Sequence, residues 1–453
     1  MGDRLSAWIA RIGAPAFRRI YRIDRALRRR LTPAGWMVAA LLVLTMIFGF
    51  NTREAAIYQL FGLAVALFLV AMVAAFRLPL TARIERRLPQ VATAGVPFEY
   101  TLRIATQSRK SVEALTVEDL LALPPVDARA FARYKVRADR TRNVFDRLVG
   151  YPRWVAFMRE RIGARIEPTA VEALSPGAEQ VVRMRCTPLR RGVLEFQSVR
   201  IARTEPLGLL KAHVTSALPE SLLVMPRTHP VAPLDLPGSR RLQPGGVAFA
   251  GRVGEAEEFV SLRDYRSGDT PRRIHWKAWA RTGKLVVKEY QDEFFVRHAL
   301  ILDTFGDGDS ECFEAAVSIA ASLVMQPRAN DALLDLVFVE GRSYTFTQGR
   351  GLGAPAELLR VLASVSESHG GFASLAEAVE LGAHRLSGAI CVLLAWDEPR
   401  RRLVAGLRER GIPMRVWVVS TGDAPLEPGP MASDARNFRV VAPRALAAEL
   451  ARP

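Results

Sequence analysis

Two long apolar runs near the N-terminus dominate the hydrophobic pattern of the chain. Residues 34–50 and residues 55–76 carry no charged side chain, and only four residues separate them. A helix of about 20 apolar residues crosses the hydrocarbon core of a bilayer. The pattern therefore predicts a two-helix transmembrane hairpin over residues 31–76, in preference to a buried hairpin of a water-soluble protein or a cleaved signal peptide.

Arginines flank this predicted hairpin on both sides. The basic N-terminal segment, residues 1–30, contains nine arginines, and four more lie between residues 77 and 87. Membrane proteins keep their Lys- and Arg-rich flanks in the cytoplasm. We therefore expect both termini in the cytoplasm and a short turn outside, as in a multi-pass protein of the inner (cytoplasmic) membrane with two spans.

From residue 89 to residue 226 the apolar positions recur with a period of two, as in Phe98–Ile104. This alternation predicts a β-rich domain, namely a small β-sandwich. A basic insertion at residues 126–165 interrupts it, with eleven Lys or Arg against four Asp or Glu. Its apolar residues are spaced as in amphipathic helices, which would either pack on the sandwich or lie against anionic lipid. Nucleic acid is a third use of such a basic surface.

The pattern changes again in the C-terminal domain, residues 296–453, where strands alternate with helices. That order predicts an α/β doubly wound fold with a parallel sheet. Ligands of such sheets bind at the carboxyl ends of the strands. Asp303 and Asp397 follow predicted strands and are expected at that edge. Residues 227–295 join the two domains as a proline-containing linker followed by a charged stretch.

Composition narrows the class of protein. The formal net charge of +17 suits a nucleic-acid binder, but a membrane protein that follows the positive-inside rule is basic as well. Because arginines cluster beside the predicted hairpin, no nucleic-acid partner is expected. The three cysteines are far apart and lack CxxC spacing, which indicates neither a disulfide framework nor a structural zinc site.

The charged stretch, residues 251–293, interleaves acidic and basic side chains around Trp276 and Trp279. Lying between two domains, it is predicted to brace them, with the charges paired across the joint and the two indoles filling it.

Local signals in the same stretch predict its secondary structure. The turn-forming residues 267–271 favour a helix over residues 271–280, with Asp269 or Thr270 as its cap. A strand is predicted to begin at Leu285.

Three ordered elements between Glu258 and Glu289 are more specific. They read Glu-Phe-x-x-Leu-Arg-x-Tyr, Gly-Asp-x-x-Arg-x-Ile-His-Trp-Lys and Ala-Arg-Thr-Gly-Lys-Leu. Together they closely resemble the signature of the bacterial domain of unknown function 58 family. The residues that carry the resemblance are Glu258, Phe259, Leu262, Arg263, Tyr265, Gly268, Asp269, Arg272, Ile274, His275, Trp276, Lys277, Arg281, Gly283 and Lys284.

The resemblance implies properties of the whole chain. It implies the two-span hairpin, a β-domain with the Pro-Leu-Gly-Leu turn at residues 206–209, and a C-terminal domain similar to a von Willebrand factor A domain. Members of this family are commonly associated with MoxR-type AAA+ ATPases and with other von Willebrand A proteins. The implied role is that of a partner in a membrane-linked chaperone or assembly system.

A von Willebrand A-like domain also raises the question of a metal. Its metal-ion-dependent adhesion site begins with Asp-x-Ser-x-Ser after the first strand, which suits Mg²⁺. Here that position reads Asp303-Thr304-Phe305-Gly306-Asp307, so both serines are replaced. Asp303, Asp307 and Asp397 are candidate ligands of a degenerate Mg²⁺ site, and the other interpretation is that these acids cap helices or pair with cations.

The function predicted from these observations is that of a protein-interaction module, not of an enzyme. An inner-membrane anchor would hold an adapter that works with a MoxR-type AAA+ ATPase in protein assembly or maturation. HExxH, GxSxG and phosphate-loop motifs are absent from the sequence. The alternative hypothesis is a metal-dependent hydrolase or nuclease that uses Asp264, Asp269 and His275.

Overall fold

In the computed structural model of the protein, the chain forms two compact units, Met1–Pro226 and Arg227–Pro453. The structure describes residues 2–48, 55–76, 82–106, 111–124, 131, 151–232, 258–271, 274–291, 296–306, 310–326, 332–349, 353–368, 370–422 and 425–452. Side chains at residues 2–14, 55–56, 258–261, 289–291 and 310 are not described. The chain is a mixed α/β multidomain protein.

Between residues 2 and 76, the described parts of the chain form the helices α1 (Gly2–Arg30), α2 (Pro33–Phe48) and α3 (Ala55–Phe76). Within α3, residues Ile57–Ala75 are long and apolar enough to cross a membrane. The apolar helix α2 has 16 residues and is about 24 Å long, shorter than the hydrocarbon core. Among the described residues, one helix therefore meets the requirement for a span by length and composition.

The start of α2 is held by the turn at residues 206–209. Thr32 Oγ1 donates a hydrogen bond to the carbonyl oxygen of Leu209 (3.1 Å) and accepts one from the Gly35 N–H (3.0 Å), so Thr32 caps the helix. A Cβ atom on Gly35 would lie 2.1 Å from the Leu209 oxygen, which explains the glycine. The turn is shaped by the Glu205 carboxylate, which accepts from the N–H groups of Leu207 and Leu209.

The described residues that follow form nine strands, in two sheets that share one hydrophobic core. They are β1 (Ala82–Arg87), β2 (Val91–Thr93), β3 (Phe98–Thr106), β4 (Val112–Leu121), β5 (Ala164–Ile166), β6 (Thr169–Leu174), β7 (Glu179–Pro188), β8 (Gly192–Thr204) and β9 (Lys211–Met225). The sheet orders are β1-β3-β7-β5 and β2-β9-β8-β4-β6. Alternate residues face the core, as Tyr100, Leu102 and Ile104 do in β3.

The described part of the predicted insertion contains one helix, α4 (Tyr151–Ile162). Trp154 and Phe157 lie on its buried face. They pack against the aromatic ring of Phe131 and against Phe17 of α1. The β5 strand starts at Ala164, just inside the range predicted for the insertion. The apolar residues of this segment therefore lie on one face of an amphipathic helix, and that face packs against other residues of the N-terminal unit.

The charged stretch forms a small element of the C-terminal unit. Its two antiparallel strands are β10 (Glu258–Asp264) and β11 (Val286–Gln291), with helix α5 (Trp276–Thr282) between them in the chain. The predicted strand after Leu285 therefore exists. The predicted helix over 271–280 is wrong in its bounds, because α5 begins five residues later and ends two residues later.

An α/β fold completes the chain. Its strands are β12 (Val296–Leu302), β13 (Ala332–Glu340), β14 (Arg342–Gln348), β15 (Gly388–Leu393), β16 (Met414–Val419) and β17 (Phe438–Val441). Its helices are α6 (Ser310–Met325), α7 (Pro355–Ser364), α8 (Ala373–Gly382), α9 (Glu398–Glu409) and α10 (Leu446–Ala451).

The sheet order is β14-β13-β12-β15-β16-β17. All neighbouring pairs are parallel except the β13–β14 hairpin. Leu300 and Leu302 of β12 face a core with α6 and α7, whereas Ala299 and Ile301 face a core with α8 and α9. Helices therefore cover both faces, as the alternation of strands and helices predicts. Because β13 lies on one side of β12 and β15 on the other, their carboxyl ends form the crevice where such sheets bind ligands.

Candidate functional site

The turn after β10 is held by an ion pair between Arg263 and Asp269. The two guanidinium Nη atoms lie 2.8 and 2.7 Å from the two carboxylate oxygens, a bidentate geometry. Asp269 also accepts from the Arg266 backbone N–H at 2.9 Å. Gly268 has a φ of 107°, which only glycine adopts readily. These residues of the charged stretch pair within the element itself.

The hydrogen bond from Arg263, followed by that from the Arg266 N–H, lowers the pKa of Asp269 from 3.8 to about 2. The carboxylate therefore stabilises the turn above its ordinary pKa, and this contribution is lost as the pH falls from about 4 to about 2. We expect ¹³C NMR of labelled aspartate to give a pKa of about 2 for Asp269 and a value closer to 3.8 in Arg263→Gln. Arg266→Gln is the control, because its backbone N–H remains, and an equal shift in both variants would contradict the assignment.

His275 caps α5. Its Nδ1 accepts a hydrogen bond from the Ala278 N–H at 3.0 Å, and Gly283 ends the helix in the left-handed conformation. The prediction that Asp269 or Thr270 caps this helix is wrong, because Asp269 instead binds Arg263. The buried side chain of Ile274 and its bridge to Val287 fix where the helix starts.

Large apolar side chains remain exposed on this element. Trp276 and Trp279 are 57% and 44% exposed, and their rings contact edge to face at 5.8 Å. Tyr265 and Leu285, whose backbones are hydrogen-bonded to each other, are 37% and 40% exposed. We call these four residues the aromatic patch. Their exposure shows that the element does not bury the two indoles itself, and their predicted place in a joint between the domains stays a prediction.

Three cations lie close in sequence to the residues of the aromatic patch. Lys277, Arg281 and Lys284 are all exposed.

Four of the predicted site residues cannot be placed in full. Arg272 and Asp307 lie outside the described residues, and for Glu258 and Phe259 only the backbone is described.

The alternative hydrolase site is not assembled. Asp269 binds Arg263, and the Nδ1 of His275 binds the helix backbone. No group of three His, Cys, Asp or Glu side chains within the described ranges is arranged to hold a metal ion. Asp264, Asp269 and His275 therefore do not form such a metal-binding group within the described structure.

The strand-end acids of the α/β fold do meet, but around an arginine. Arg400 Nε donates to Asp303 Oδ2 at 2.6 Å, and Arg400 Nη1 donates to Asp397 Oδ2 at 2.7 Å. Arg400 Nη2 donates to the carbonyl oxygen of Phe305 at 2.5 Å. The guanidinium also lies over the ring of Phe372, 4.6 Å from its centroid. Asp303 is fully buried and Arg400 nearly so.

Two backbone groups complete the surroundings of Asp303. The N–H of Phe305 donates to Oδ1 at 2.9 Å, and the N–H of Leu394 donates to Oδ2 at 3.0 Å. Burial raises the pKa of Asp303, and the hydrogen bonds and charge of Arg400 oppose that rise. The site thus holds a carboxylate, a guanidinium and two amides in one buried hydrogen-bond network.

These contacts do not fit the predicted Mg²⁺ site. The guanidinium lies between Asp303 and Asp397, so the carboxylates already bind a cation. Asp397 has a second role, because its Oδ1 accepts from the Arg400 N–H and caps α9. Thr304, the residue after Asp303, donates its hydroxyl to the Val339 carbonyl at 2.5 Å, and the first serine position of the adhesion-site pattern is occupied by Phe305. For Asp303 and Asp397, the structure therefore supports the capping and pairing interpretation.

Sequence reasoning did not identify Arg400. The available signal was an arginine three residues after Asp397, on the first turn of a helix that begins with a strand-end acid. That spacing is common on helix surfaces and does not reveal that the side chain turns inward to Asp303.

Comparison with known proteins matches the charged stretch and the first part of the α/β fold. Residues 261–395 match the family model described as protein of unknown function DUF58. This match confirms the resemblance over that segment, which contains both the aromatic patch and Asp303. It does not confirm the von Willebrand A likeness, which stays a prediction.

One curated relative is the uncharacterized protein YeaD of Bacillus subtilis, 29% identical over 144 residues. The alignment covers 31% of this chain and 35% of the Bacillus protein, so about a third of that relative is matched.

Similar solved structures overlap only in part. Proximal thread matrix protein 1 from the mussel byssus is 13% identical, covers 34% of this chain and 44% of its own, and gives a TM-score of 0.27. The CARDB domain of a Pyrococcus furiosus protein is 13% identical. The match covers 32% of this chain and 87% of that domain, with a TM-score of 0.16.

Proposed function

We propose that this chain is a membrane-anchored module that binds another protein through the aromatic patch. The partner is a MoxR-type AAA+ ATPase, and the chain acts as its adapter at the cytoplasmic face of the inner membrane in protein assembly or maturation. The exposed pair Trp276 and Trp279 is the observation that carries this proposal, because exposed aromatic side chains beside charges are typical of binding surfaces.

The chemistry of the patch suggests what kind of surface it binds. Tryptophan dominates the energetically important positions of protein interfaces, since it buries a large apolar area and keeps one N–H donor. The exposed Lys277, Arg281 and Lys284 favour an acidic rim on the partner. Asp269 and His275 support the patch from within, because each is hydrogen-bonded to its own element.

The anchor in this proposal is a two-span hairpin with both termini in the cytoplasm. Helix α3 supports it, because only 11% of its apolar segment Ile57–Ala75 is buried within the protein. Apolar side chains of this extent need a cover, and lipid provides one. Helices α2 and α3 contact each other, as the two arms of a hairpin would. The arginines of α1 agree with the cytoplasmic placement of the N-terminus.

A crosslinking experiment in cells tests the proposal. A photoreactive amino acid at position 276 or 279 of the full-length chain is expected to capture an AAA+ ATPase, identified by mass spectrometry. Trp276→Ala and Trp279→Ala are each expected to weaken co-purification in detergent by about 2 kcal/mol, or roughly thirtyfold. Because both indoles are exposed, the thermal midpoint of the variants should remain within about 2 °C of that of the parent protein.

Leu381→Ala is the matched control, since Leu381 is an exposed apolar residue (74%) of the same unit outside the aromatic patch. Its co-purification should be unchanged. Capture of no AAA+ protein, or equal losses in Leu381→Ala and the tryptophan variants, would refute the proposal.

A further inference from the structure

A cavity of about 250 Å³ lies in the N-terminal unit between the end of α1 and the outer face of the five-stranded sheet. Its lining is strongly basic, and no acidic side chain belongs to it among the described residues. We call it the arginine cavity. Its basic residues are Arg22, Arg25, Arg29, Arg30, Arg200 and His213.

The buried cation in the arginine cavity is Arg200. Its neighbours in β8, Val199 and Ile201, face the core between the sheets, so Arg200 faces the opposite side. Only 10% of its side chain is exposed, and its Nε and Nη1 atoms make no hydrogen bond within the described structure. The nearest carboxylate is that of Glu118, 3.7 Å from Nη1, which is too long for a hydrogen bond.

The cations of the arginine cavity repel one another. Burial, and then the charges of Arg25 and Arg200, lower the pKa of Arg29 to about 10, although Glu118 opposes the shift. Burial, Arg200 and Arg30 likewise lower the pKa of His213. Both shifts mean that a further positive charge is unfavourable in this place. A bound anion would offset the repulsion between these positive charges. It would also supply hydrogen-bond acceptors for the Nε and Nη1 groups of Arg200.

A second cavity nearby provides a contrast. It is larger, about 650 Å³, and shares Arg25 and Arg29, but it is also lined by Glu118, Asp119 and Glu167. Those three acids stand against four arginines, Arg25, Arg29, Arg159 and Arg165. The excess of positive charge is therefore larger in the arginine cavity, which has five arginines and no acid in its described lining.

We propose that the arginine cavity binds a phosphate group. Arginine guanidinium groups match the geometry of phosphate oxygens and bind them in pairs of parallel hydrogen bonds. Two sources share this chemistry: the headgroup of an anionic phospholipid and a free phosphate compound. The cavity is lined by Arg29 and Arg30, and only Leu31 and Thr32 separate Arg30 from the apolar helix α2, which begins at Pro33. A headgroup at the membrane surface is therefore within reach.

The test uses the full-length chain. In detergent, inorganic phosphate is expected to raise the thermal midpoint above its value in chloride at the same ionic strength. In nanodiscs, native mass spectrometry measures retention of phosphatidylglycerol against phosphatidylcholine. Arg29→Gln and Arg200→Gln should weaken whichever anion binds by about tenfold or more, because each removes a charged hydrogen-bond donor.

Arg28→Gln is the matched control. It makes the same charge change one residue away, at a side chain that is 72% exposed and paired with Asp24, and it should leave binding unchanged. Without an anion, Arg29→Gln is expected to keep or raise the thermal midpoint, because a lowered arginine pKa means that its charge destabilises the folded protein.

The outcomes separate the sources. Retention of phosphatidylglycerol without an effect of inorganic phosphate assigns the cavity to the headgroup, and an effect of inorganic phosphate in detergent assigns it to a free phosphate compound. Binding of neither, or equal weakening in Arg28→Gln and Arg29→Gln, overturns the proposal. Binding to the AAA+ partner is a separate measurement, so this proposal and the adapter proposal can fail independently.

Discussion

Replacement of Arg400 by glutamine is expected to destabilise the α/β fold by about 3–5 kcal/mol, because Asp303 would then be buried without its cation. Asp303 is fully buried, and Arg400 provides both its closest hydrogen bond (2.6 Å) and its only compensating positive charge among the described residues. The same change removes the donor to the Phe305 carbonyl and the contact with the Phe372 ring. Glutamine keeps some hydrogen-bonding capacity but cannot reach three acceptors at once.

Hydrogen exchange measured by mass spectrometry on the full-length chain in detergent tests this expectation. Amides of β12 and β15 should exchange at least about a hundredfold faster in Arg400→Gln than in the parent protein. Arg402→Gln is the control on the same helix, since Arg402 is 77% exposed and pairs with the exposed Glu398. Its cost should stay within about 0.5 kcal/mol. Similar exchange in the two variants would show that the buried pair is not required for stability.

Asp119→Ala is expected to cost about 3–5 kcal/mol in the N-terminal unit for the same reason. Arg86 binds the Asp119 carboxylate through Nε (2.9 Å) and Nη2 (2.7 Å), and both side chains are fully buried. The Tyr100 hydroxyl donates to the same carboxylate at 2.7 Å. Burial, and then the charge of Asp119, raise the pKa of Tyr100, so the hydroxyl remains a donor. Loss of the Asp119 carboxylate leaves the buried guanidinium with only the half-buried carboxylate of Glu220, 3.7 Å from Nη1 and too far for a hydrogen bond.

The measurement again uses the full-length chain. Hydrogen exchange of β3 and β4 should be at least about a hundredfold faster in Asp119→Ala. Glu179→Gln is the control, because Glu179 forms an exposed pair with Arg103 across β3 and β7 and should cost less than about 1 kcal/mol. Exchange in Asp119→Ala that stays close to that of Glu179→Gln would contradict the proposed importance of the network.

Both predictions concern buried charges, and neither network was visible in the sequence. Arg86 is separated from Asp119 by 33 residues, and Asp303 is separated from Arg400 by 97. In the sequence, Arg86 reads as one of the cytoplasmic arginines beside the hairpin, and Arg400 reads as one of three arginines on a helix surface. Only the packing shows that one side chain of each group is turned inward.

Local patterns predicted the elements well where hydrophobic spacing was regular. The period of two in β3 and the alternation of strands and helices after residue 296 each correspond to observed elements. The prediction was wrong for α5, whose start is set by Ile274 and its bridge to Val287. The residue that caps a helix depends on which other partners the candidate side chains have. Asp269 binds Arg263, and the side chain that caps α5 is that of His275.

The sequence by itself determined the period-two strands of the β-rich domain, the alternation of strands and helices after residue 296, the apolar length of α3 and the resemblance of the charged stretch to the DUF58 family. Each of these depends on neighbours in the chain, on composition or on a linear motif. Tertiary structure alone decided that Arg400 lies between Asp303 and Asp397 and that Arg29 and Arg200 share a cavity. Such pairings depend on which side chains the fold brings within hydrogen-bonding distance. They also depend on how strongly burial increases the electrostatic interaction between the charges. The local spacing of residues in the sequence shows neither of these.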